Sequence, residues 1–147
     1  KLYFFWYCLA AYLTRWLNAD ALEAGAASGE FFETWVVTEI YKSYTNKGIV
    51  PPLYYLRNFN GKEIELIIWQ YGTAYPIAVK KSAYPSKAVK TFAILEPVSA
   101  DAKIQIGAGG IVCLIDDLIP ASDSLYYIPA WVLWFIFNIS IAVPKNL

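Results

Sequence analysis

The chain has 147 residues, a length that fits one domain with a core of its own. Twelve lysines and arginines balance twelve aspartates and glutamates. No global field therefore draws the chain to nucleic acid or to a membrane, and such a partner must be met by a local patch. The absence of histidine excludes imidazole bases, histidine metal ligands and Ser-His or Cys-His nucleophile pairs.

Other features of the composition bear on the context of the chain. Hydrophobic residues make up 58% of it, which predicts an apolar surface that another domain, another chain or lipid covers. Because the chain lacks Met and begins with Lys1, we expect a piece of a longer protein. Cys8 and Cys113 have no CxxC spacing, so neither a zinc site nor a disulfide framework is predicted, and Cys113 is expected to be buried. The apolar start lacks the features of a signal peptide, which favours a reduced, cytoplasmic location.

Two predicted helices follow an apolar opening segment. Residues 2–17 are apolar and aromatic, and after a break at 18–20 a short alanine-rich helix is expected to end near 27–29. A longer helix is predicted over 30–45, ended by Gly48 and two prolines. Its polar arc contains Glu30, Thr34, Thr38, Lys42 and Thr45. Its apolar arc contains Phe32, Trp35, Val36, Ile40 and Tyr44, with Glu33 and Glu39 inside it.

Three strands follow this helix. Residues 53–57 and 63–69 flank Asn60-Gly61, a strong hairpin signal, and a second turn leads into a strand over 75–80. Helical spacing covers 87–95, and a tight glycine loop over 107–110 precedes a strand over 111–115. The order of elements predicts an α/β domain with a mixed central β-sheet flanked by helices.

Alternation along the predicted strands brings charged residues together. One common core layer is expected to contain Ile64, Leu66, Ile68, Ile77 and Val79. Glu65 and Lys80 are then neighbours on the other face of the sheet. A helix that carries Glu33 or Glu39 over this face would gather carboxylates and an ammonium group in one cleft.

Five blocks of sequence together resemble a known domain. They are EFFETWVVTEI (30–40), LYYLR (53–57), GKEIELII (61–68), YPIAVKKS (75–82) and GGIVCL (109–114). Over residues 1–134 the chain is similar to the domain of unknown function that follows the ATPase module in a large prokaryotic family of AAA-type ATPases. That domain resembles the PD-(D/E)XK, or restriction-endonuclease-like, nuclease fold. The resemblance implies an ATPase domain of the same longer chain as partner, and it leaves residues 135–147 as an unexplained apolar tail.

In that nuclease fold, the resemblance implies, a helix Glu, a strand Asp and a Glu-x-Lys motif hold one or two divalent ions that activate water. The matching catalytic candidates are Glu33 or Glu39, Glu65 and Lys80, with Glu65 and Glu33 as metal ligands. Glu65 replaces the usual Asp, and Ala78 stands where the Glu of Glu-x-Lys is expected. Because Mg²⁺ demands near-ideal octahedral geometry, we expect weak or absent Mg²⁺ binding and a degenerate site.

Simpler interpretations stand beside these. Glu33 and Glu39 could pair with Arg57 or with neighbouring lysines, and Glu65 and Lys80 could form a cross-strand ion pair.

A basic stretch lies close to the candidate site. Its members are Lys80, Lys81, Lys87 and Lys90, with no acidic residue between them. Such a stretch could hold a phosphate backbone. It is equally typical of a solvated face.

The end of the chain has a long apolar segment. Residues 124–144 carry no charge, and their number suffices for a membrane span. Pro129, Asn138 and Ser140 interrupt the segment, and its aromatic and β-branched content favours a strand, so an exposed apolar tail is expected rather than a span.

Three function classes follow from the sequence. The first is a non-catalytic module that docks on an ATPase domain and contacts DNA. The second is an Mg²⁺-dependent DNA nuclease that uses Glu33 or Glu39 with Glu65 and Lys80, and the third is a membrane-attached partner domain. Ala78 favours the first over the second. A Gly-x-x-x-x-Gly-Lys-Ser/Thr loop is missing from the sequence, so we do not expect this chain alone to hydrolyse ATP.

Overall fold

A seven-stranded mixed sheet forms the centre of the computed structural model, which describes residues 3–16 and 18–133. Its strands are β1 (Leu53–Arg57), β2 (Glu63–Gln70), β3 (Thr73–Val79), β4 (Gln105–Ile106), β5 (Gly109–Cys113), β6 (Ile119–Ser122) and β7 (Leu125–Pro129). The order across the sheet is β1-β2-β3-β5-β7-β6, and β4 also pairs with β3. The β1, β2 and β3 strands are antiparallel, β3, β5 and β7 are parallel, and β6 is antiparallel to β7.

Helices flank the sheet, as the sequence predicts. They are α1 (Tyr7–Leu13), α2 (Ala19–Ala24), α3 (Ser28–Thr45), α4 (Ser86–Val89) and α5 (Leu95–Ala102), and a 3₁₀ helix (Lys90–Ile94) joins α4 to α5. The α3 side of the core contains Val36, Val37, Ile40, Leu66, Val79, Val112, Ala130 and Leu133. Two smaller clusters join the α4–α5 region to other side chains of the sheet, one around Ala78 and one around Ile64. The α/β class with a mixed central sheet is therefore confirmed.

The predicted hairpin between β1 and β2 is present. The β1 strand has the predicted bounds, and Gly61 in the connecting loop has a φ of +77°, a conformation that side chains with a Cβ rarely adopt. The carbonyl oxygen of Asn58 accepts a hydrogen bond from the Gly61 amide, and its side chain accepts one from the Lys62 amide. Gly61 thus has the role expected from the turn signal, and the asparagine that binds the loop amides is Asn58.

The polar arc predicted on α3 is wrong at Thr38. This residue is fully buried, and its hydroxyl is the one buried side-chain polar atom without a hydrogen bond among the described residues. Both α1 and α2 contact α3, so the helix is covered on more than its sheet side. A helix covered on two sides does not show the single wet face that its sequence pattern suggests.

The helical conformation expected over 87–95 is present, but it is not one continuous α-helix. The segment divides into α4, the 3₁₀ helix and α5, and α5 continues to Ala102. Pro97 gives the physical reason, because proline lacks a backbone N–H and its ring clashes with the carbonyl group four residues earlier. In the structure Pro97 lies in the first turn of α5, where neither property is costly.

The tight glycine loop predicted over 107–110 is only half correct, since Gly109 and Gly110 belong to β5. A Cβ atom on Gly110 would lie 2.5 Å from Cδ1 of Ile128 on β7. Close packing against the end of the Ile128 side chain, and not a turn, therefore favours glycine at position 110. The short strands β4 and β6 had no counterpart among the predicted elements.

The common core layer predicted for β2 is wrong at Ile64. Leu66 and Ile68 pack on the α3 side with Ile77 and Val79, but Ile64 packs against Ile94 and Leu95. The register between β1 and β2 shifts by one residue between Tyr54 and Leu56, so Glu65 and Leu66 together lie opposite Tyr55. Strict alternation fails at such a β-bulge.

The membrane question concerns the end of the chain. Within residues 3–16 and 18–133, no helix has the length and apolar character that a bilayer crossing requires. Leu125–Pro129 of the uncharged segment forms β7. The remainder from residue 134 onward, which includes the predicted tail over 135–147, lies outside the described residues.

Candidate carboxylate site and basic cleft

Glu65 lies where β2 and β3 separate. The β2–β3 ladder runs from Gln70↔Thr73 to Leu66↔Ile77 and ends there. Beyond this point the backbone amide of Val79 donates to Oε2 of Glu65, at 3.3 Å, in place of a strand partner. The Glu65 side chain is only 2% exposed, and its Oε1 accepts a hydrogen bond from Nζ of Lys80. Both oxygens of this buried carboxylate are therefore engaged by the next strand.

Two further carboxylates converge on Glu65. One carboxylate oxygen each of Glu33, on α3, and of Glu63 and Glu65, on β2, lie within 4.8 Å of one another. We call these three side chains the carboxylate cluster. Glu63 and Glu65 are two residues apart on the strand, and Glu33 reaches them because α3 packs over this side of the sheet. Glu63 was not among the predicted site residues, although the alternation placed it on the Glu65 face.

Tyr3 completes the cluster from the start of the chain. Its hydroxyl donates to Oε1 of Glu33 at 2.9 Å and lies 3.2 Å from the backbone oxygen of Glu65. Burial and the negative charge of Glu33 raise the pKa of Tyr3 well above its ordinary value. The sequence offered no signal for this contact, because Tyr3 sits in an aromatic run and meets Glu65 across a separation of 62 residues.

Glu39 does not join the cluster. Its Oε1 accepts a hydrogen bond from Nζ of Lys42 at 2.9 Å, one turn along the same helix. This hydrogen bond raises the pKa of Lys42. Of the two helix candidates, the structure thus brings Glu33 to Glu65, whereas Glu39 pairs with a neighbouring lysine.

Ala78 lies in an apolar environment. It is fully buried and packs with Ala88, Ile111 and Leu125. A side chain with a carboxylate at this position would replace a methyl group inside that cluster. Ala78 is therefore a core residue, and it has no side-chain atom that could bind a metal ion.

The fit of a divalent ion to these residues can be judged from the donor atoms. Three carboxylates within 4.8 Å offer hard oxygen ligands of the kind that Mg²⁺ prefers. However, both oxygens of Glu65 already accept a hydrogen bond, one from Lys80 and one from the Val79 amide. An ion bound to Glu65 would lie beside the ammonium group of Lys80, whose positive charge opposes it, and Ala78 supplies no further ligand. With Lys80 in this position, the arrangement does not fit a catalytic Mg²⁺ site of the nuclease type.

A basic cleft opens next to the cluster. Its volume is about 480 Å³, and three of the four predicted lysines line it, namely Lys80, Lys81 and Lys87. Lys90 is exposed but does not line the cleft. Nζ of Lys81 donates to the hydroxyl of Ser28 and, at 3.0 Å, to the backbone oxygen of Glu23. Lys80 belongs to both features, because it lines the cleft and binds Glu65.

Residues 28–133 match the family described as "Domain of unknown function (DUF4143)". The match covers most of the chain, and the chain belongs to this family. No curated protein and no solved structure matches the chain.

Proposed function

We propose that this DUF4143 domain is a nuclease-like interaction module that docks on an AAA-type ATPase domain of the same longer chain. In the proposal it contacts DNA in the cytoplasm of a prokaryotic cell and does not hydrolyse it. The restriction-endonuclease-like relationship is supported by the position of Glu65 on β2, of Lys80 directly after β3, and of Glu33 on the helix that packs over them. These are the relative positions that the resemblance implies for a metal-dependent nuclease.

The observation that carries the proposed loss of activity is that Lys80 and the Val79 amide already bind the Glu65 carboxylate. Phosphodiester hydrolysis at such a site needs carboxylate oxygens that hold a divalent ion and a lysine that stabilises developing negative charge. Here the lysine and the carboxylate neutralise each other, and Ala78 provides no second strand ligand. In the proposal Glu65 and Lys80 keep their positions, but they form an ion pair and do not bind a metal ion or a phosphate.

Docking on a larger partner is supported by the surface around α1. This helix has no buried residue, and it carries no charge along Tyr7–Leu13. Large apolar side chains are exposed on it and on the segment before it: Phe4, Phe5, Trp6, Leu9, Tyr12 and Leu13. Large exposed apolar patches of this kind are typical of surfaces that contact another protein. In the longer chain we expect the α1 amides to exchange with deuterium more slowly than in the isolated domain; equal rates would contradict the docking proposal.

A second candidate function is an active Mg²⁺-dependent DNA nuclease. The observation that favours it is the convergence of Glu33, Glu63 and Glu65 within 4.8 Å. In this alternative Glu63 would supply the ligand that Ala78 lacks, and Lys80 would turn from Glu65 to the reacting phosphate.

One experiment separates the two functions. The purified protein is incubated with Mg²⁺ or Mn²⁺ and labelled single- or double-stranded DNA, in parallel with Glu65→Gln and Glu33→Gln variants. The proposal predicts no cleavage above background for any of the three proteins. Cleavage by the wild type that both variants lose would overturn it, and cleavage that all three retain at equal rates would identify a contaminating nuclease.

A further inference from the structure

The basic cleft has the composition of a phosphate-binding surface. Three lysines line it, together with hydroxyl side chains that include Ser86 and Thr91, and no carboxylate lines it among the described residues. Its charge is local, because the whole chain has a formal net charge of zero. A concave surface that combines ammonium groups with hydroxyl donors binds anions through both charge and hydrogen bonds.

The three lysines differ in how much charge they can offer to a ligand. The ammonium group of Lys80 is neutralised by Glu65. Lys81 is held by Ser28 and the Glu23 backbone oxygen, and the Glu23 carboxylate stays 4.0 Å away on an exposed side chain. Lys87 is exposed and has no ion-pair partner within the part of the chain that the structure describes. A ligand phosphate is therefore expected between Lys81 and Lys87. Hydrogen bonds to Ser28 and Glu23 hold Lys81 in position, and no described acidic side chain pairs with Lys87.

An aromatic ring lies in the same cleft. Tyr84 lines it, yet the residue is 71% exposed. An exposed ring beside a basic surface is the arrangement that proteins use to stack an unpaired base while lysines hold the backbone. A base inside a duplex is stacked on its neighbours and cannot offer its face to Tyr84.

We propose that the basic cleft binds single-stranded nucleic acid, with a backbone phosphate at Lys81 and Lys87 and a base on Tyr84. The inference deepens the proposed DNA contact and rests on it. The cleft volume of about 480 Å³ suits one or two nucleotides. Lys90, which lies outside the cleft, takes no part.

The test is fluorescence anisotropy with a labelled oligothymidylate of about 12 nucleotides, a length within the usual site sizes. EDTA and low salt are used, so that neither metal nor cleavage contributes. Lys87→Gln is compared with Lys90→Gln, which removes the same charge three residues away. Tyr84→Ser is compared with Tyr54→Ser, at another exposed tyrosine. We expect Lys87→Gln and Tyr84→Ser each to weaken binding about tenfold, and the two controls to change it less than about twofold.

The outcomes separate DNA contact in general from single-strand binding in the basic cleft. If no single strand or duplex binds, the proposed DNA contact itself fails. If a duplex of the same sequence binds as tightly as the single strand, DNA contact stands and the single-strand inference is overturned. Equal losses in Lys87→Gln and Lys90→Gln, or an unchanged affinity in Tyr84→Ser, would likewise show that binding is diffuse and not in the cleft.

Discussion

The carboxylate of Glu65 and the ammonium group of Lys80 meet where β2 and β3 separate, and the two side chains differ sharply in exposure. The Glu65 side chain is 2% exposed and that of Lys80 is 41% exposed. Burial makes the carboxylate dependent on its partners, because an ionised group out of water is costly unless it is paired and hydrogen-bonded. Lys80 and the Val79 amide meet that need. The ion pair and the amide hydrogen bond thus compensate for the burial of this carboxylate.

The first prediction concerns removal of Lys80. Lys80→Met leaves Glu65 buried without its ion-pair partner, and we expect the free energy of unfolding to fall by about 2 kcal/mol, less than for a fully buried pair because Lys80 is partly solvated. Urea denaturation measures this value. With Glu65→Gln and the double variant, a thermodynamic cycle should give a coupling energy of about 1 kcal/mol. The control Lys90→Met should cost less than about 0.5 kcal/mol; a loss no larger in Lys80→Met would contradict the structural role of the pair.

The second prediction concerns Ala78. Ala78→Glu places a carboxylate where the resemblance implies one, and it should destabilise the protein because the residue packs with Ala88, Ile111 and Leu125. We expect the free energy of unfolding at neutral pH to fall by at least about 2 kcal/mol. Ala78→Gln has similar size without charge, so it should cost less and thus separate volume from charge. If Ala78→Glu were as stable as the wild type, this position would not be the closed core site that we describe.

The third prediction concerns alkaline pH. The pKa of Tyr3 is raised in the folded protein, whereas in the unfolded chain a tyrosine ionises near pH 10. The contribution of the neutral phenol is therefore complete below about pH 10 and is lost as the pH rises above it, since only the unfolded state releases the proton. Tyr3→Phe should cost about 1 kcal/mol near pH 8 through its lost hydrogen bonds. It should also lose stability less steeply than the wild type between about pH 9 and 11. Parallel slopes would contradict the contact of Tyr3 with Glu33.

The fourth prediction concerns close packing in the sheet. Gly110→Ala places a Cβ atom against Cδ1 of Ile128, the movable end of that side chain, and we expect a loss of about 1 kcal/mol in the free energy of unfolding. Ile128→Val removes that Cδ1 atom and alone should cost about 1 kcal/mol. In the double variant the two losses should be less than additive, because the clash is gone. Strictly additive losses, measured by urea denaturation, would argue against the contact.

The sequence predicted the parts of the fold that depend on local pattern. The hairpin was predicted from Asn60-Gly61, and α3 and β1 from their periodicity, within two residues of the observed bounds. The parts that depend on long-range packing were missed. Ile64 leaves its expected layer at a β-bulge, and Thr38 is buried because helices cover α3 on a second side.

The candidate site divides in the same way. The resemblance predicted the meeting of Glu65 and Lys80, and the structure places them in contact. Glu65 lies beside Glu33 of α3, which packs on the Leu66 side of the sheet, and not on the opposite face that strand alternation predicted. The choice of Glu33 over Glu39 depends on how α3 packs over the sheet, which helical periodicity alone does not fix. Tyr3 contacts the site from the start of the chain, and no local pattern marks it.

The central claim is that Lys80, and not a catalytic ion, neutralises Glu65 in the carboxylate cluster. The most direct measurement is a calorimetric titration of the wild type and of Glu33→Gln with Mn²⁺ up to a concentration on the order of 1 mM. We expect no stoichiometric binding to either protein. One equivalent bound tightly by the wild type and lost in Glu33→Gln would contradict the claim, because it would show that the cluster binds a divalent ion.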